Sequence, residues 1–140
     1  MRYILDTSFL LALRKGNTMA RRALENRRGE ANELGVSRIT QYELELGGNY
    51  LWKKYGEARE LAWLDDIFSW LNIYEIDEEV VHNTAEVQAD ALTKGKPFPD
   101  IDLLIALSAK SGSELLTLDE NHMKMRDSLK SKGITVSGLG

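Results

Sequence analysis

Four carboxylates, Asp6, Glu43, Asp102 and Asp119, each stand where the local pattern predicts that a strand ends and a helix begins. In an open parallel α/β sheet the strand exits share one edge, and such folds bind their ligands there. Carboxylates gathered on that edge repel one another and hinder each other's ionisation unless a cation lies among them. With no cysteine and only two histidines in the chain, a metal has to rely on oxygen ligands. That donor type favours Mg²⁺ or Mn²⁺ over zinc.

A plainer role exists for each acid. Asp is a preferred helix N-cap, which suits Asp6, Asp100 and Asp119. Glu43 fits a capping box with Thr40, and Asp102 in a first helical turn complements the helix dipole. Other residues are nevertheless at hand for capping: Thr7 or Ser8 beside Asp6, Thr40 beside Glu43, and Asp100 beside Asp102. The extra carboxylates are then surplus to capping, and cation binding is the better reason to collect them.

The elements that must position these acids alternate between strand and helix. Tyr3-Ile4-Leu5 is an apolar run suited to a buried strand, and Phe9 to Leu13 continue as a helix. An amphipathic helix with Met19, Ala20, Ala23 and Leu24 follows, and then a strand over Gly35 to Ile39. The next helix opens at Thr40 and is expected to stop at Gly47-Gly48, with a further helical stretch from Tyr50. Leu61, Leu64, Ile67, Phe68 and Leu71 form a helical stripe, Ile73 to Ile76 a strand, and Glu78 to Thr93 a helix. Lys94 to Pro99 is a loop, a buried helix begins at Asp100 or Asp102, and Glu114 to Leu118 is a strand. A short helix reaching Gly133 and a strand over Ile134 to Val136 complete the pattern. This order predicts a three-layer α/β/α architecture around a small parallel sheet, in one domain spanning 1–140.

With 22 acidic and 18 basic residues the net charge is −4, which argues against a protein that coats nucleic acid broadly. It leaves room for an enzyme that meets a polyanion through a local basic patch. The first residues are too short an apolar run for a signal peptide, and no segment reaches the roughly 18 apolar residues of a membrane span. A cytoplasmic location is the expectation.

Ile4-Leu5-Asp6-Thr7-Ser8, Ser37 to Leu44, Asp102-Leu103-Leu104-Ile105-Ala106 and Leu116-Thr117-Leu118-Asp119 resemble, in order and rough spacing, the four signature blocks of PIN domains. The likeness is greatest to the VapC-type toxin ribonucleases of toxin–antitoxin pairs. The resemblance implies a metal-dependent endoribonuclease in which Asp6 and Asp102 are the principal Mg²⁺ or Mn²⁺ ligands. Glu43 and Asp119 complete the acidic pocket, directly or through water. It further implies an RNA substrate, a protein antitoxin and a homodimer. Ser8, Leu118 and Met123 depart from the family's common Asn, polar and aromatic residues at those places. Two alternatives keep the same fold: an RNA-processing nuclease outside a toxin–antitoxin pair, and a non-catalytic interaction module. Receiver-like and dehalogenase-like phosphotransfer chemistry is disfavoured, because Asp6 has neither an adjacent acid nor a second Asp two residues on.

Outside these blocks, Arg14, Lys15, Arg21, Arg22, Arg27 and Arg28 form a basic cluster suited to an RNA backbone or to a solvated helix face. Trp52, Trp63 and Trp70 suit either helical-hairpin packing or a protein interface. His122 is expected on a helix surface.

Overall fold

The computed structural model describes residues 1–138. Five strands, β1 (Arg2–Leu5), β2 (Glu33–Ser37), β3 (Asn72–Tyr74), β4 (Ser113–Thr117) and β5 (Thr135–Gly138), form one sheet in the order β3-β2-β1-β4-β5. Every pairing is parallel, so all strand exits lie on the same edge. The chain moves outward from β1 to β2 and β3, then returns to β4 on the other side. That reversal makes the β1/β4 boundary the switch point, where the sheet edge opens into a crevice.

The helices are α1 (Thr7–Arg14), α2 (Thr18–Arg27), α3 (Arg38–Tyr55), α4 (Arg59–Phe68), α5 (Glu78–Thr93), α6 (Asp100–Leu107), α7 (Glu120–Lys124) and α8 (Arg126–Lys130). They cover both faces. Side chains alternate across a strand, so the neighbours Ile4 and Leu5 enter different cores, as do Leu115 and Leu116. Leu5 and Leu116 join Phe9, Leu24, Leu44 and Leu64 on one face. Ile4 and Leu115 join Val80, Val87, Leu103 and Leu129 on the other. The expected α/β/α layering is what the chain adopts.

Several expected boundaries move. The helix after β2 starts at Arg38, capped by Ser37, two residues ahead of the predicted opening at Thr40. It also runs unbroken through Gly47-Gly48 to Tyr55 and ends at Gly56, whose φ of 68° suits a residue without a side chain. Gly48 serves packing instead: a Cβ there would lie 2.9 Å from Leu61 Cδ2, so its absence lets α4 settle against α3. The last helical segment is two short helices with Met125 between them. No helix among the described residues is long and apolar enough to cross a membrane.

Gly35 in β2 marks the closest approach between strands and side chains. A Cβ there would sit 2.6 Å from Tyr74 Cε2 and 2.7 Å from the Asn72 carbonyl oxygen, and that second obstacle is backbone. Gly35→Ala is therefore expected to destabilise by about 1–3 kcal/mol, the usual range for overpacking. Thermal unfolding checks this; an unchanged melting temperature would contradict the close approach.

Candidate active site

Asp6 stands directly after β1 at the switch point and is buried, 1% exposed. It is the N-cap of α1: Oδ1 accepts from the Phe9 amide at 2.8 Å and from the Ser8 hydroxyl at 2.7 Å. Oδ2 accepts from the Thr117 hydroxyl at the end of β4 and lies 2.7 Å from His122 Nδ1. Each hydroxyl passes a bond onward. Ser8 Oγ accepts from the Leu118 amide at 3.1 Å, and Thr117 Oγ1 accepts from the Asp119 amide at 2.9 Å. The turn after β4 is thus tied to Asp6 through backbone groups, which makes the apolar side chain of Leu118 immaterial to the link.

Asp6 and Asp119 take the plainer capping role, and the other capping roles differ from expectation. Neither Thr7 nor Ser8 relieves Asp6, which caps α1 itself. Asp119 caps α7, accepting from the Asn121 amide at 2.8 Å. Glu43 forms no capping box, because Ser37 holds the cap of α3 and Thr40 is buried with its hydroxyl 3.3 Å from that of Thr7. Glu43, in the second turn, accepts from the Thr7 hydroxyl at 2.7 Å, which joins α3 to the start of α1. Asp100 does not cap α6, whose N-cap position is Pro99. Its carboxylate instead accepts from Gln88 at 2.8 Å. Asp102 follows a loop, not a strand, and its Oδ2 accepts from Asn121 Nδ2 at 3.3 Å.

His122 corrects the sequence reading outright. It is 1% exposed and lies beneath the site, not on a helix surface. With Met125 and Leu129 it forms a buried stripe at spacings of three and four, a signal present in the sequence. Its Nε2 lies 2.7 Å from the backbone oxygen of Asp102, an atom that can only accept, so Nε2 carries a proton. Burial disfavours the imidazolium, but the hydrogen bond and charge of Asp6 and the Asp102 contacts outweigh it, and the pKa of His122 is raised. The sign follows directly. Stability from this pair is fully present below the ordinary histidine pKa of about 6.5 and is lost as pH rises through the raised folded value. Chelator-treated protein is expected to melt at lower temperature as pH climbs through that window, and His122→Gln to flatten the dependence. An identical profile in the variant would contradict this coupling.

The hydrogen bonds therefore connect Asp6, Asp102 and Asp119 without stacking them, and hold Glu43 to the residue that follows Asp6. Asp6 and Asp102 meet through His122, Asp6 and Asp119 through Thr117, Asp102 and α7 through Asn121, and Glu43 joins at Thr7. Glu43, Asp102 and Asp119 are half-buried, and each has one carboxylate oxygen outside these bonds. Hard oxygen donors on one sheet edge fit Mg²⁺ or Mn²⁺ in kind. Among the described residues, no three His, Asp or Glu groups come close enough to hold an ion as they stand. Loading one requires side-chain reorientation, to which the three half-buried acids are better suited than Asp6.

Around the acids the surface is mixed. Arg14 pairs with Glu60 at 3.0 Å and lies over Trp63, Arg27 pairs with Glu114 at 3.4 Å, and Arg28 covers Trp70. Half of the basic cluster is thus engaged in the fold, while Lys15, Arg21 and Arg22 are exposed. A cavity of about 560 Å³ joins Ser8 to Lys15, and another of about 500 Å³ joins Asn121 to Lys96 and Lys124. These two lysines, on loop and α7, lie far apart in the chain, and nothing local in the sequence pairs them.

The PIN domain family model matches residues 3–127. No curated protein matches the chain. Among solved structures, VapBC2 from Rickettsia felis bound to a promoter DNA fragment superposes with a TM-score of 0.79 at 22% identity, covering 100% of both chains. VapBC from Salmonella typhimurium, also bound to DNA, gives 0.76 at 22% identity, covering 100% of this chain and 99% of that one. VapBC-1 from nontypeable Haemophilus influenzae gives 0.76 at 20% identity, over 99% and 98%. At these identities the likeness is one of fold.

Proposed function

The chain belongs to the PIN domain family, and from that premise we propose that it is a divalent-metal-dependent endoribonuclease, the toxin of a type II toxin–antitoxin pair. The observation that carries the reading is the placement of Asp6, Asp102, Asp119 and Glu43 around the exits of β1, β2 and β4, at the switch point of a parallel sheet. Asp6 and Asp102 would hold Mg²⁺ or Mn²⁺, with Glu43 and Asp119 binding directly or through water. The bound ion supplies a lowered pKa for water and charge stabilisation at a phosphoryl oxygen.

This chain's own residues set the rest. Asp6 is fixed by its cap and its buried donors. Ser8 and Thr117 hydroxyls turn about single bonds, so they can yield a position on the carboxylate. Glu43 or Asp119 orients the attacking water, each having an oxygen outside the internal bonds. Lys15 on one side and Lys96 and Lys124 on the other offer cations to an RNA backbone flanking the acids. Tyr42, Leu46 and Tyr50 project from one face of α3 with exposures of 64%, 56% and 53%, an apolar stripe that suits a protein partner. That partner is the antitoxin or a second copy of the chain.

An RNA panel incubated with Mg²⁺, Mn²⁺ or chelator tests the activity. Cleavage with either ion and none with chelator is expected. Metal-independent cleavage, or none on any RNA, would overturn the assignment. Lys96→Glu combined with Lys124→Glu is expected to raise KM for RNA severalfold and to flatten its salt dependence, with kcat little changed.

A further inference from the structure

His122 takes no part in the reaction outlined above, yet it is the shortest connection between the two acids assigned to the ion. Its ring spans 2.7 Å contacts at both ends, to Asp6 Oδ2 after β1 and to the Asp102 carbonyl in the first turn of α6. The other side-chain donors to Asp6, the Ser8 and Thr117 hydroxyls, also accept from backbone amides of the turn after β4, whereas the buried His122 ring, held at both nitrogens, bridges Asp6 to α6. We propose that His122 is a positioning residue that fixes the orientation of the Asp6 carboxylate and ties it to α6, so that Asp6 and Asp102 stand in register for a divalent cation. The inference rests on the metal-binding reading. Groups that orient a ligand from behind typically govern metal affinity by about 10–100-fold.

A residue that merely fills the core predicts something else. Its loss lowers stability, but the folded variants bind metal as the native chain does.

Mn²⁺ binding measured by calorimetry on the native chain, His122→Ala, His122→Asn and His122→Gln separates these outcomes. Asn places an amide nitrogen where Nδ1 stood and keeps the Asp6 link; Gln places one near Nε2 and keeps the Asp102 link. Melting curves establish which variants are folded, and Asn and Gln preserve enough volume to carry the comparison where Ala does not. His122→Ala is expected to bind Mn²⁺ about 10–100-fold more weakly, with Asn and Gln in between. Equal affinities in native and folded variants would overturn the role of His122 alone. A native chain that binds no Mn²⁺ would overturn the metal reading and this inference with it.

Discussion

Asp6→Ala is expected to lower the stability of the fold by about 3–5 kcal/mol, the range for removing one partner from a buried charged pair. Four donors lose their acceptor at once: the Phe9 amide, the Ser8 and Thr117 hydroxyls, and the His122 ring. The N-cap of α1 contributes about 1 kcal/mol of the total, and the unsatisfied buried donors the larger part. Natural domains hold only about 5–15 kcal/mol in all, so this variant stands near the limit of folding. Asp6→Asn keeps the shape and one acceptor oxygen, and a loss of about 1–2 kcal/mol is expected there. Denaturant unfolding of both variants checks the ranking. A cost within about 0.5 kcal/mol of zero for Asp6→Ala, the level of ordinary surface changes, would show that the buried network contributes nothing. The result bears on any activity assay as well. Asp6 variants confound lost chemistry with a weakened fold.

Asp102→Asn avoids that confusion. Asp102 is half-buried, caps no helix, and its side chain accepts from the exposed Asn121 at 3.3 Å. Its backbone oxygen, which receives His122, is untouched by the substitution. Stability is expected to stay within about 0.5 kcal/mol of native. Cleavage is expected to fall about 10³-fold, because a metal's stabilisation of transition-state charge is worth several kcal/mol, and each 1.36 kcal/mol is a factor of about ten. Nearly native cleavage by a normally folded variant would remove Asp102 from the machinery.

Much of this arrangement was legible in the chain. Tyr3-Ile4-Leu5 and Glu114 to Leu118 read as buried strands from their apolar runs, as both faces of a parallel strand are covered, and the two lie side by side at the centre of the sheet. Glu78 to Thr93 has the bounds its periodicity predicts. What escaped depends on contacts between distant segments. Gly47-Gly48 reads locally as a stop, but Gly48 is held in the helix by Leu61 and Leu64 across the α3–α4 contact. Thr40 and Glu43 have the spacing of a capping box, yet Ser37 takes the cap and both face α1. His122 reads as a surface residue because a five-residue helix has too little periodicity to reveal a buried face until Met125 and Leu129 are read with it. The expectation that Thr7 or Ser8 relieves Asp6 of capping, and that Asp100 caps α6 beside Asp102, fails for a related reason. Asp119 caps α7 with one oxygen and keeps the other outside the internal bonds, whereas Asp6 caps α1 with Oδ1 and meets Thr117 and His122 with Oδ2.

RNA cleavage by the native chain and by Asp102→Asn, each stripped with chelator and then titrated with Mn²⁺, decides whether the acids at the sheet edge hold a catalytic ion. No cleavage is expected from the stripped native protein, full activity on adding Mn²⁺, and about 10³-fold less from the variant at equal melting temperature. Cleavage by the stripped native protein, or equal Mn²⁺-supported rates in the two proteins, would contradict a catalytic ion there.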